Sequence, residues 1–295
     1  MQTAGGSPGS TTVGFIGVGI MGGPMAGHLL DAGYSLLVHN RTREKASRLV
    51  ERGARYCEDV ASLAARSDVV ITIIGYPRDV EAVYLGDGGL VRHARPGSIL
   101  VDMTTSDPAL AERIEREARA QGLGCLDAPV TGGEIGAQKG ELSIMVGGDE
   151  TTFRSLVPIF ERMGRPVYQG PAGSGQHAKL ANQIAIAGTM LGVCEALAYA
   201  RRAGLDPERV IESISRGAAG STLLSQAGPR MLAGDYAAGF YVKHFIKDLD
   251  LALAHAERFD LDVRGVTLVR ALYGELSSIG HDNDGTQSLF RLYDR

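Results

Sequence analysis

Cysteine is scarce in this chain. Only Cys57, Cys125 and Cys194 occur in 295 residues, scattered and odd in number, which excludes a disulfide framework and metal-ligand spacing and points to a reducing compartment. Excess charge of one sign is also missing: 30 Lys and Arg stand against 34 Asp and Glu, a formal net charge of −4. Such a balance has no general attraction for nucleic acid or for an anionic membrane, so neither is expected as a partner. No run reads as the roughly 20 consecutive apolar residues of a bilayer span. The opening "MQTAGGSPGSTT" has neither the basic start nor the apolar centre of a signal peptide, and residues 1–11 read as a flexible tail. These absences predict a cytoplasmic protein. The hydrophobic content of 44% with 22% charged residues is that of a globular chain able to bury one large core or two ordinary ones.

The pattern changes once along the chain. From residue 13 to about 170, short β-type runs ("VGFI", "YSLLVH", "VVITII", "SILVD", "GCLDAP", "LSIMVGG", "PVYQG") alternate with helical segments, which predicts a mostly parallel sheet covered on both faces by helices. Beyond residue 175 only helical patterns follow, over 176–203, 207–215, 245–259 and 264–280, with Gly204, Pro207, Pro229 and Gly234 as punctuation. The expected fold class is α/β: a Rossmann-type doubly wound domain over 12–173 and an all-helical domain over 174–295, joined by a helix roughly 42 Å long. A cleft between two such domains is the expected active site.

The first motif with chemistry is "GFIGVGIMGGPMAGHLL". Gly17, Gly19 and Gly22 stand in GxGxxG spacing, with Ile20 and Met21 between the last two, after an apolar strand and at a helix start. Gly17 permits a tight turn, Gly19 lets the backbone approach a pyrophosphate, and Gly22 lets helix and strand pack closely. The helix N-terminus attracts the anion. About 20 residues on, where an acid would hold the ribose 2′-hydroxyl of NAD, stands Asn40, followed by Arg41, Thr42 and Arg43. These suit the 2′-phosphate of NADP, making NADP the expected cofactor with NAD as the alternative. Thr42 also reads as a plain helix cap.

Two further strands end in polar loops. "DAPVTGG" puts Thr131, Gly132 and Gly133 where consecutive backbone N–H groups and a hydroxyl can hold a carboxylate, and "DMTTSDP" puts Thr104 and Thr105 on the ligand side of the sheet. Both also read as ordinary turns or helix starts. In "GSGQHAKLANQ", Lys179 shares a helix face with Asn182 at i+3 and Gln183 at i+4. Desolvation beside a cofactor ring that is positive when oxidised drives a lysine down from its ordinary value of about 10.4, toward the range of proton transfer. A solvent-facing lysine is the alternative. "GFYVKHFIKDLDLAL" adds Phe240, Lys243, His244, Lys247 and Asp248, which by themselves read as surface charges and a core aromatic.

Taken together, "GFIGVGIMG", "DAPVTGG", "GSGQHAKLANQ" and "KHFIKDL" resemble the β-hydroxyacid dehydrogenase family over nearly the whole chain. The resemblance implies Lys179 as catalytic acid/base, Asn182 as the residue orienting it or the substrate hydroxyl, and Thr131, Gly132 and Gly133 as the carboxylate site. It further implies that Thr105 and Lys247 contact the cofactor, that Phe240 and Asp248 contribute to the substrate site, and that the protein forms a homodimer or homotetramer. Two departures stand out: His28, where many members have Asn and where a packing change is expected, and "IIGYP", where many have a Leu-Pro pair near the cofactor. The expected reaction is hydride transfer between nicotinamide and a small 3-hydroxy acid or its semialdehyde. The rival readings are an imine reductase, against which Lys179 counts, and a non-catalytic binding protein on the same fold.

Overall fold

The computed structural model describes residues 7–294. It divides into two compact units, one ending at Lys179 and one beginning at Leu180. The first unit alternates strands β1 (Thr12–Ile16), β2 (Ser35–His39), β3 (Arg55–Tyr56), β4 (Val69–Thr72), β5 (Ile99–Asp102), β6 (Gly124–Asp127), β7 (Val130–Thr131), β8 (Leu142–Gly148) and β9 (Gly164–Gly170) with helices. Those helices are α1 (Gly22–Asp31), α2 (Ser47–Glu51), α3 (Val60–Ala64), α4 (Pro77–Leu85), α5 (Leu90–His93), α6 (Pro108–Ala120), α7 (Gly133–Lys139) and α8 (Glu150–Phe160).

The sheet order is β3-β2-β1-β4-β5-β6-β8-β7, with β9 beside β8. The strands from β3 to β6 pair in parallel, whereas β8 runs antiparallel to β6 and β7. Alternate residues explain why the central strands are apolar throughout: Val13, Phe15, Val69 and Ile71 enter one core, and Ile16, Val70 and Leu100 enter the other. A parallel strand covered on both faces has no solvent side to make polar. Chain order reverses between β1 and β4, and the crevice outside their carboxyl ends is where such sheets take ligands.

Two short strands, β3 and β7, were not among the expected runs; two residues each carry no legible alternation. Of the expected tail, residues 1–6 lie outside the described residues. Residues 8–10 form a turn in which the Gly9 N–H donates to the Gly33 carbonyl at 3.2 Å, and Thr11 is buried.

The second unit is helical: most of α9 (Ser174–Arg202), then α10 (Pro207–Ile214), α11 (Thr222–Leu232), α12 (Val242–Arg258) and α13 (Arg264–Ser278). Its core gathers Met190, Cys194 and Leu197 of α9 with Phe245, Leu249 and Tyr273. By length and composition α9 is long and apolar enough to cross a membrane, yet its buried face is this core. Pro229, read as punctuation, instead lies inside α11. Burial of Leu224, Gly228 and Met231 offsets the backbone hydrogen bond that the proline cannot make. The units divide at 179/180 and not at 173/174, because the first turns of α9 are hydrogen-bonded into the sheet unit through Gly173 and Gln176.

Candidate active site

The glycine loop is held by backbone. Gly17 has φ +95°, its N–H donates to the His39 carbonyl at 3.1 Å, and a Cβ there would sit 2.1 Å from the Ile73 oxygen. A Cβ on Gly22 would meet the Gly17 oxygen at 1.9 Å, so helix, turn and strand pack as closely as glycine permits. At Gly19 the space is open: the residue is exposed and no atom lies within 4 Å of an added Cβ. α1 opens behind it with no side chain capping its N-terminal N–H groups and no acid in its first turn. Open backbone before an uncapped helix start fits a pyrophosphate. Ile20 and Met21, on the same loop, are exposed and half-buried.

Asn40 is engaged at both ends of its amide. Its Oδ1 accepts from the Val18 N–H at 3.0 Å, and its Nδ2 donates to the Thr42 carbonyl at 2.8 Å. It therefore ties the loop after β1 to the loop after β2. Arg41 and Thr42 are exposed there. Arg43 is committed elsewhere: it pairs with Glu58 and lies 4.6 Å over the Tyr56 ring.

At the end of β5 the two threonines part ways. Thr104 is buried, accepting at Oγ1 from the Ile74 N–H at 3.0 Å, while Thr105 is half-buried. A residue that reading of the sequence missed holds this loop. Gln176, fully buried on α9, accepts from the Ser106 N–H at Oε1 and donates from Nε2 to the Thr104 carbonyl, both at 2.8 Å. Asp127, at the end of β6, accepts the N–H groups of Gly173 and Gln176 at 2.8 Å each, capping α9 from another strand. Burial is the main cause that pushes its carboxyl up to about 7, against the two N–H donors that favour the charged form. Gly147 and Gly175 are glycine for this reason, since their Cβ atoms would lie 2.6 Å and 2.5 Å from Asp127 oxygens. The signal available in sequence was a glutamine in the first turn of an otherwise apolar helix.

One turn past Gln176 comes Lys179, 7% exposed. Thr131 is half-buried, and the exposed Gly132 and Gly133, with φ +127° and +62°, stand at the N-cap and first position of α7. His28 does more than pack. Its Nε2 lies 3.0 Å and 3.1 Å from the carbonyl oxygens of Ala137 and Gln138, and since carbonyls only accept, Nε2 carries the proton. The clamp joins the cofactor helix α1 to the helix behind the Gly132–Gly133 loop.

In the second unit four side chains form one chain of contacts. Asn182 Nδ2 donates to Gln183 Oε1 at 2.8 Å, Gln183 Nε2 donates to Asp248 Oδ2 at 2.6 Å, and Lys247 Nζ pairs with Asp248 Oδ1 at 2.8 Å. Phe240 stands apart from it, edge-on to Phe245 with ring centroids 6.0 Å apart. His244, on the same helix, is pushed down mainly by burial and then by Lys247 and Lys243. Among the described residues there is no cluster of His, Cys, Asp and Glu suited to a metal ion.

Comparison with known proteins bears on the family and the fold. Residues 12–171 match the family model described as the NAD binding domain of 6-phosphogluconate dehydrogenase, and residues 173–293 match the NAD-binding region of NADP-dependent 3-hydroxyisobutyrate dehydrogenase. The oxidoreductase YkwC of Bacillus subtilis is 52% identical over 283 residues, covering 96% of this chain and 98% of its own. The chain belongs to the β-hydroxyacid dehydrogenase family. The family member 3-hydroxyisobutyrate dehydrogenase-like protein 1 of Arabidopsis thaliana is 48% identical over 98% of this chain and 87% of its own. Among solved structures, the 3-hydroxyisobutyrate dehydrogenase of Mycobacterium tuberculosis with L-serine superposes with a TM-score of 0.86 at 27% identity, covering 97% of this chain and 99% of that one. As a member of this family the protein is an NAD(P)-dependent oxidoreductase acting on CH–OH groups.

Proposed function

We propose that this dehydrogenase interconverts a small 3-hydroxy acid and its semialdehyde with NADP as preferred cofactor, and that Lys179 moves the hydroxyl proton. The bound nicotinamide supplies the hydride acceptor or donor. In the oxidative direction Lys179 Nζ takes the proton from the substrate hydroxyl, and in the reductive direction its ammonium returns that proton to the carbonyl oxygen. Thr131 and the N–H groups of Gly132 and Gly133 bind the substrate carboxylate, Asn182 orients the hydroxyl, and Phe240 and Asp248 contribute from the helical unit. Thr105 and Lys247 lie on the cofactor side. The observation that carries this reading is a buried lysine set one turn after Gln176, the residue that locks the loop of Thr105.

The names of the relatives support the substrate class. For the cofactor, exposed Arg41 and Thr42, the absence of an acid at Asn40 and the NADP named by the matching family model all favour NADP. Homo-oligomerisation is part of the same reading, as is a reducing compartment, which suits three buried free thiols.

Replacing Lys179 by Met should lower kcat by about 10²- to 10⁴-fold while the Kd for NADPH stays within twofold. The assay is a panel of 3-hydroxy acids and semialdehydes with both cofactors, with a cyclic imine included. Normal turnover by the variant, or reduction of the imine in preference to every semialdehyde, would overturn the assignment.

A further inference from the structure

Gln183 is 1% exposed and Asp248 is 1% exposed, so the hydrogen bond between them is sealed from water. Asp248, paired with Lys247, can only accept. That decides which end of the Gln183 amide faces it: the Nε2 donor, at 2.6 Å. The Oε1 acceptor of Gln183 is thereby turned to Asn182, at 2.8 Å, and an acceptor demands a donor, so Asn182 presents Nδ2 to it. The remaining end of the Asn182 amide, Oδ1, is left facing away from Gln183. Amide orientations are commonly interchangeable by a 180° flip, but here a carboxylate at one end propagates a single choice through both amides.

We propose that Gln183 is a positioning residue: it transmits the polarity of Asp248 to Asn182 and makes Asn182 a hydrogen-bond acceptor, and not a donor, toward the reacting hydroxyl or the Lys179 ammonium. This rests on the catalytic reading of Asn182 given above. It has a chemical consequence. An acceptor at this point favours the alcohol and the protonated amine, both donors, over the carbonyl product, which can only accept. Asn182 then helps hold the alcohol in the oxidative direction and, in the reductive direction, steadies the ammonium before it gives up its proton. A flipped Asn182 would instead offer an N–H to the carbonyl oxygen. Because Lys247 holds the other oxygen of Asp248, the chain of groups reaches from one expected cofactor contact to Asn182 without a break.

The test has two arms on the full-length protein. In a double-mutant cycle, Gln183→Met should lower kcat/KM for the hydroxy acid by about 10- to 100-fold when Asn182 is present. In the Asn182→Ala background the same substitution should change it by less than about twofold, because Gln183 acts only through Asn182. Melting temperature and NADPH Kd are measured alongside, and additive losses in the cycle would overturn the proposal. The second arm is a neutron structure of the unmutated protein, which needs no variant to fold. Deuterium on the Asn182 atom that faces Gln183 supports the orientation, and deuterium on the opposite atom overturns it. If Asn182→Ala alone kept normal kinetics, the catalytic reading of Asn182 would fail, and the neutron map would still decide the orientation.

Discussion

A charged residue's neighbours decide what its charge is for, and Arg43 illustrates this. In the sequence it stands beside Arg41 as a second phosphate ligand, but in the fold it is paired with Glu58 and stacked on Tyr56. Glu58 thus occupies one of the arginines expected to take the 2′-phosphate, and on the proposed reading it works against NADP. Replacing Glu58 by Gln frees a guanidinium and removes a repelling charge, so NADP should bind more tightly relative to NAD, by about two- to fivefold for so exposed a pair. Calorimetric titration with both cofactors measures this, and an unchanged or lowered ratio would contradict it. Lys179 and the glycines were legible because a local spacing marks them. Gln176 was not, and of Gln183 only its place on the face of Lys179 was, because what defines the two are partners 70 and 65 residues away.

Helices and strands carry the site, and their ends are where it is built. α9 begins on Asp127, a side chain of β6 that accepts the N–H groups of Gly173 and Gln176. The Asp127 carboxyl is pushed up to about 7 from an ordinary 3.8, chiefly by burial. The folded chain therefore binds this proton more tightly than the unfolded one, and the associated stability is present below pH 3.8 and lost as pH rises through 7. Asp127→Asn removes the titration and turns an NH₂ group toward one of the two backbone donors, at a cost of about 1–3 kcal/mol. In thermal melts the advantage of the unmutated protein over this variant should be larger at pH 5 than at pH 8. An equal gap at both values would show that Asp127 does not titrate in this range. The elements themselves followed their patterns wherever these ran for four residues or more. The exception was α11, where Pro229 read as a break and packing overrode it.

For the whole molecule, the change of pattern near residue 175 marks two units, and α9 runs through the division between them without interruption. Along α9, Ala181, Ala185, Gly188, Gly192, Glu195 and Tyr199 are exposed, a face of small and aromatic residues with one acid. Covering such a face is what homo-oligomerisation would accomplish, so sedimentation of the purified protein should show a dimer or larger assembly at micromolar concentration. A monomer there would remove oligomerisation from the reading. The sequence by itself determined the mostly parallel sheet, the glycine turn, the helical second half and the family, because these depend on periodicity and spacing within a few tens of residues. Only the tertiary structure decided that Asp127 caps α9, that Glu58 claims Arg43, and that Asp248 sets the direction of two amides. Those are contacts between residues far apart in the chain, and a hydrogen bond's direction exists only once both partners are in place.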